Sequence, residues 1–241
     1  MDTTVFAGQL FNGISLASIL LLAALGLALS FGVMNVINMA HGELLMAGGY
    51  ISFMVGRVVH GRAALPCSLV AAFLGAAFLG GLLELTVIRR LYGRPLDTLL
   101  ATWGVSLILQ QGTRSLFGAI GVEVTAPSWL SGSTTVGGVD LPHVRLFIIG
   151  LALLVLGLMA LFIARSPWGL LLRAVHQSRE MAEAHGVDTA RVDLTVFALG
   201  SGIAGLAGSV LALIAPVTPT IGSSYIVYAF LVVIVGGLGV C

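Results

Sequence analysis

The chain has no lysine: all 11 of its basic residues are arginine. A nucleotide-binding P-loop needs a lysine on the phosphates, so this chain cannot carry that motif. Any ATP hydrolysis tied to it belongs to another subunit. Charge of either sign is scarce. Asp, Glu, Lys and Arg together make up 9% of the residues, against about 25% in a soluble domain. The formal net charge of +1 implies no nucleic-acid or acidic partner. Cysteine is nearly absent. Cys67 falls inside an apolar run and Cys241 is the last residue, so neither a disulfide framework nor a metal-ligand spacing follows. Met1-Asp2-Thr3-Thr4 lacks the basic start of a cleaved signal peptide, and the first apolar segment is expected to remain.

What is present is apolar and small. Hydrophobic residues make up 58% of the 241 positions, and 32 are glycine, about double the usual ~7% share. Glycine is favoured where transmembrane helices approach closely. Between Thr3 and Gly56 the one charged side chain is Glu43. That stretch suffices for about two membrane passes at ~20 residues each. A carboxylate there costs roughly 2.5–3.5 kcal/mol on insertion scales unless it is neutralised, paired or hydrated. The expected fold is all-α, a polytopic transmembrane helix bundle of about seven spans, with residues 1–241 forming one membrane domain and no soluble one.

The apolar runs are Val5–Ala40, Leu44–Gly56, Ala63–Leu83, Leu96–Phe117, Leu146–Ala164, Leu194–Pro216 and Tyr225–Val240. His41-Gly42-Glu43 breaks the first pair. Two loops, 89–94 and 165–193, carry seven of the 11 arginines. Arginine-rich loops stay on the cytoplasmic side, which places the acidic 118–143 loop outside. Arg57 and Arg62 fall on that outer side and run against the rule.

Four groups of residues stand out. Asn35, Asn38, His41 and Glu43 form a polar cluster in which Asn38 and His41, three apart, would share a helical face. It reads equally as a broken helix lining a pathway or as a connector between spans. Thr98, Thr102, Ser106 and Gln110 recur every four residues in an apolar run, either as a polar stripe offered to a solute or as hydrogen-bonding glue between helices. Gly200, Ala204 and Gly208 make a small-xxx-small face for close helix contact, within the chain or between copies. Trp168–His185 reads as an amphipathic helix ended by Gly186, either a solvated loop helix or a docking helix for a partner. One His and one Glu two apart are too few for a metal site. Neither Gly-x-Ser-x-Gly nor His-Glu-x-x-His occurs, so no catalytic or metal residues are assigned and an intramembrane enzyme is disfavoured. A stand-alone channel would need no docking helix at Glu180–Gly186.

Glu180-Met181-Ala182-x-x-x-Gly186 resembles the Glu-Ala-Ala-x-x-x-Gly loop that permeases of ABC importers offer to their ATPase, with Met181 where alanine is usual. Gly32-Val33-Met34-Asn35-Val36-Ile37-Asn38-Met39-Ala40-His41-Gly42-Glu43, with Met46 and Gly49-Tyr50, resembles the hallmark of branched-chain amino acid and urea ABC permeases. Phe197–Ser209 and Phe230–Gly239, ending in Gly236-Gly237-Leu238-Gly239, match the same family. Residues 98–111, 127–132, 141–149 and 225–227 look most like its urea branch. The resemblance spans essentially the whole chain and implies a bacterial inner-membrane permease subunit. It implies a homologous second permease, two ATP-binding subunits docking at Glu180, Ala182 and Gly186 in the 165–193 loop, and a periplasmic substrate-binding protein. The lipid bilayer is its solvent, ATP is bound by the partners, and this chain holds no cofactor. The expected cargo is urea, with branched-chain amino acids as the alternative. Family members usually continue past the Gly-Gly-x-Gly segment, so truncation at the C-terminus is an expectation.

Overall fold

A backbone in lipid must satisfy its own hydrogen bonds, and this one does so almost wholly with helices. The computed structural model describes residues 3–34, 36–136 and 139–236. Asn35, residues 237–239 of the glycine-rich ending and Cys241 lie outside them. The helices are α1 (Thr3–Met34), α2 (His41–Val58), α3 (Ala64–Thr86), α4 (Pro95–Phe117), α5 (His143–Arg165), α6 (Pro167–Gln177), α7 (Arg179–Ala184), α8 (Thr189–Leu211) and α9 (Ile221–Val235). The all-α expectation holds with one addition, an antiparallel hairpin of β1 (Ser133–Val136) and β2 (Val139–Pro142) in the 118–143 loop. That loop also pairs Val122 with Val217.

Among the described residues, four helical segments are long and apolar enough to cross a membrane: Val5–Met34, Gly61–Leu91, His143–Arg165 and Thr189–Leu211. The expected figure of about seven is therefore not reached by this measure. The others fall short for identifiable reasons. α2 carries His41, Glu43 and Arg57, α4 carries Asp97, Arg114 and the polar stripe, and α9 has 15 residues.

Long-range hydrogen bonds set the depth of each element. Arg145, at the start of α5, donates to the Asn12 carbonyl of α1 at 3.5 Å. At the other end His176 of α6 donates to the Gly32 carbonyl. α1 therefore runs from the 118–143 end to the arginine-rich end. His41 Nε2 donates at 3.2 Å to the carbonyl of Ala23, near the middle of α1, so α2 begins at mid-depth. α9 begins there too, because the backbone of Gly222 lies directly against that of Gly42. Two helices thus start inside the bundle, an arrangement known to place polar groups near a bilayer midplane.

α8 is the central helix. Lipid tails are as apolar as the helix surfaces, so association depends on close van der Waals fit and hydrogen bonds. Gly200 meets Gly26 of α1, Gly205 meets Ala72 and Ala76 of α3, and Gly208 meets Leu45 and Gly49 of α2. The 200–208 face is thus packed within the chain. Ser52 of α2 donates to Ser209 at 2.6 Å across the same seam. A methyl at Gly208 would run into the Leu45 carbonyl, whereas one at Gly157 on α5 meets nothing within 4 Å. Gly208→Ala is expected to cost about 1–3 kcal/mol and Gly157→Ala nearly nothing, read as thermal midpoints of the purified protein in detergent.

Candidate functional site

The chain between α1 and α2 leaves amides that lipid cannot satisfy. Two side chains take them up. Asn38 Oδ1 accepts from the Ala40 amide at 3.0 Å, and Thr102 Oγ1 of α4 accepts from the Met39 amide at 3.1 Å. One turn further, Glu43 is 1% exposed and meets α4 again. Its Oε1 accepts from Ser106 Oγ at 2.9 Å and from Gln110 Nε2 at 2.8 Å. Gln110 Nε2 also reaches Ser223 Oγ, at the start of α9, at 3.0 Å. Glu43 Oε2 and Asn38 Nδ2 are buried and find no hydrogen-bond partner among the described residues. The result is a polar centre at mid-depth, made by α2, α4 and α9, with one carboxylate oxygen and one amide nitrogen left over.

The structure joins two motifs that are 63 residues apart and corrects details of both. Asn38 is not helical, so Asn38 and His41 share no helix face; the chain bends through residues 36–40 and α2 opens at His41. His41 and Glu43 belong to the first turn of α2, not to the unwound stretch. His41 faces α1 and does not join the centre. Thr98 is buried but donates to the Arg94 carbonyl of its own helix at 2.9 Å, stapling the start of α4 and leaving the centre to Thr102, Ser106 and Gln110. Ser223 and the Gly42–Gly222 crossing were not singled out from sequence. A Ser-Ser pair after Thr-Ile-Gly carries no period or charge to mark it.

At the arginine-rich end the amphipathic segment is two helices, not one. Ser178 adopts an extended backbone after α6 and accepts from the Met181 amide at 3.4 Å to start α7. Ala182 packs inward beside Leu172, Val175, Val192 and Val196, while Glu180 and Met181 are exposed. Gly186 has φ +81°, the left-handed conformation that ends helices and suits glycine. α7 is tied down by charge. Arg179 binds Asp193 of α8 and lies 3.5 Å from Glu183, and its guanidinium sits 5.2 Å from the Tyr92 ring. Tyr92 donates at 3.2 Å to Glu84, which is wholly buried and also pairs with Arg89 at 3.1 Å. Burial first, then the Asp193 and Glu84 carboxylates, push the Tyr92 phenol far above its ordinary value, so it remains a donor. Asp193 and Glu84 are completely enclosed, and neither was singled out from the sequence as a site residue.

No group of three or more potential metal ligands occurs among the described residues. The family model described as branched-chain amino acid transport system, permease component, matches residues 9–240. The chain belongs to this family. It is similar to the high-affinity branched-chain amino acid transport system permease protein LivH of Salmonella typhimurium, 29% identical over 97% of this chain and 80% of that protein. BraD of Pseudomonas aeruginosa is 28% identical over 96% of this chain and 79% of its own length. A probable LivH of Methanocaldococcus jannaschii is 28% identical over 92% and 71%. No solved structure matches the chain. Members of the family are transport permeases, not enzymes, and lie in the inner membrane. As components of ABC importers they work with a partner permease, ATP-binding subunits and a substrate-binding protein. The expected urea preference finds no support here, since these relatives carry branched-chain amino acid names.

Proposed function

We propose that this chain is one permease half of an ATP-driven importer for branched-chain amino acids. Its arginine-rich end faces the cytoplasm and its 118–143 loop faces outward. The cargo follows from relatives named as branched-chain amino acid permeases, which the family match over 9–240 supports. The transport role rests above all on the polar centre at mid-depth. Glu43 is held by Ser106 and Gln110 with one oxygen to spare, and an ionisable group inside a membrane marks a pathway more readily than a scaffold. Asn38, Thr102, Ser106, Gln110 and Ser223 complete the polar side of that pathway; Thr98 and His41 stabilise its walls. Exposed Glu180 and Met181, set by buried Ala182 and ended by Gly186, dock the ATPase. Its movement shifts α7, and through the Arg179–Asp193 pair it shifts α8, the helix on which α1, α2 and α3 converge. Alternating access follows when ATP biases the two arrangements differently.

The uncharged hydroxyls and amide around Glu43 also suit urea, so one experiment carries both cargoes. The importer is assembled with its partner permease, ATPases and binding protein in sealed vesicles. ATP-dependent accumulation of labelled leucine, competed by excess valine and not by urea, is the expected result. Accumulation of urea without leucine reverses the assignment of cargo.

A further inference from the structure

Arg57 sits where the orientation rule disfavours it, on the outward side. It ends α2, and its guanidinium lies 4.4 Å from the centre of the Phe53 ring. It lines an open cleft of about 340 Å³ between the end of α2 and the 123–128 segment, together with His60, Glu123, Thr125 and Pro127. Among the described residues neither Arg57 nor Glu123 makes an ion pair, so a cation and an anion face one cavity without cancelling. Adjoining it is a smaller recess of about 30 Å³ that shares Gly56, Ala64, Val124, Thr125 and Pro127 with the cleft and is lined further by Leu65, Leu213, Ser52 and Ser68, the two serine hydroxyls donating to Gly48 and Ser209 and to Leu65. Charges of both signs at the mouth, beside a recess with Leu65, Val124 and Leu213 in its lining, suit a ligand that carries both signs and an apolar tail. The cleft also continues the face of α2 that meets α4. Phe53 packs on Phe117 of α4 with ring centres 6.4 Å apart, and Tyr50 packs on the same ring at 4.6 Å. Two further turns along that face lie Glu43 and its partners.

We infer that this cleft is an extracytoplasmic receiving site for a zwitterionic aliphatic amino acid. The α-carboxylate pairs with Arg57, the α-ammonium with Glu123, and the branched side chain enters the recess beside Leu65 and Leu213. The Arg57 guanidinium is held in place by the Phe53 ring, which keeps it aimed at the cavity. The site passes its occupant along the α2–α4 seam toward Glu43. A neutral solute such as urea would gain little from two fixed opposite charges, so the inference rests on the amino acid reading given above.

The test uses the assembled permease–ATPase complex in nanodiscs, without binding protein, and measures equilibrium binding of tritiated leucine. Wild-type complex is expected to bind leucine and not urea. Arg57→Gln and Glu123→Gln each weaken leucine binding about tenfold, and the exchanged pair Arg57→Glu with Glu123→Arg recovers part of the loss. Isovalerate and isoamylamine, which each lack one charge, compete poorly. Both positions are at the surface, so the variants are expected to fold, and detergent thermal midpoints check this. Wild-type leucine affinity in both single variants overturns the site, as does absence of leucine binding by a complex whose complete importer accumulates leucine. Loss of binding-protein affinity in Arg57→Gln with leucine binding unchanged assigns the cleft to protein docking and also overturns it. If the complete importer takes up urea and no leucine, the cargo reading itself has failed and the inference falls with it.

Discussion

Replacing Glu43 with leucine is expected to reduce uptake to under about a tenth of wild type at matched membrane abundance, while Glu43→Gln keeps most of it. The contrast follows from the geometry. Glu43 Oε1 is the shared acceptor for Ser106 and Gln110. Leucine removes that acceptor and leaves the buried Ser106 hydroxyl without it, at about 1–3 kcal/mol, while half-buried Gln110 keeps its bond to Ser223. It also loosens α4 from α2, leaving the Thr102–Met39 bond and the packing of Val105 beside Val36 and Ala40 to hold the break. Glutamine keeps a carbonyl oxygen in the same place and changes only the second position, the one without a partner. Because ATP drives the cycle, no proton on residue 43 is needed for energy. Labelled-substrate uptake by both variants in the assembled importer decides the matter. Equal wild-type uptake by the two would reduce Glu43 to a packing residue. Equal loss in both would give the free charge a direct part in transport.

Arg179→Met is expected to be the most destabilising change at the arginine-rich end. It strips the counter-charge from Asp193, which is wholly enclosed in α8, while the Arg179 side chain itself is 38% exposed. Removing one partner of a fully buried pair costs about 3–5 kcal/mol; with water able to reach the arginine side, about 2–3 kcal/mol is expected here. The double variant Arg179→Met with Asp193→Leu should recover most of that loss, since two apolar groups of similar bulk leave no stranded charge. The midpoints of the four proteins in a double-mutant cycle measure the coupling. A second readout separates stability from function. If the pair carries motion from α7 to α8, the double variant folds and hydrolyses ATP through its partners but accumulates substrate poorly. Full accumulation by the double variant would confine the pair to holding the loop in place.

Several parts of this molecule were legible in the residues alone. The scarcity of charge pointed to a membrane protein, and the absence of lysine excluded a P-loop from these residues. The Asn38–Glu43 break and the Thr98–Gln110 stripe were each visible as polarity inside apolar runs. The small-residue face of 200–208 announced close packing, because only glycine and alanine permit it. Element ends were less secure. Trp168–His185 read as one helix, since the amphipathic period runs on through Ser178, yet Ser178 caps a new helix. The hairpin at 133–142 was hidden by a loop-like composition. Cargo was drawn toward urea by local segments, whereas relatives matched over almost the entire chain point to branched-chain amino acids.

The sequence by itself determined the solvent, the helical class, the exclusion of a P-loop and which side chains were too polar for lipid. Those follow from composition and from transfer costs that depend on residue type alone. Only the tertiary structure decided which polar groups meet. It placed Glu43 on Ser106 and Gln110 and not on His41, brought Ser223 to the same point through the Gly42–Gly222 crossing, and locked Asp193 to Arg179. The reason is physical. Within one helix a side chain reaches neighbours three or four residues away, but a partner on another helix is chosen by depth, tilt and the closeness that glycine allows. Those are properties of the packed bundle, and no local pattern in the chain encodes them.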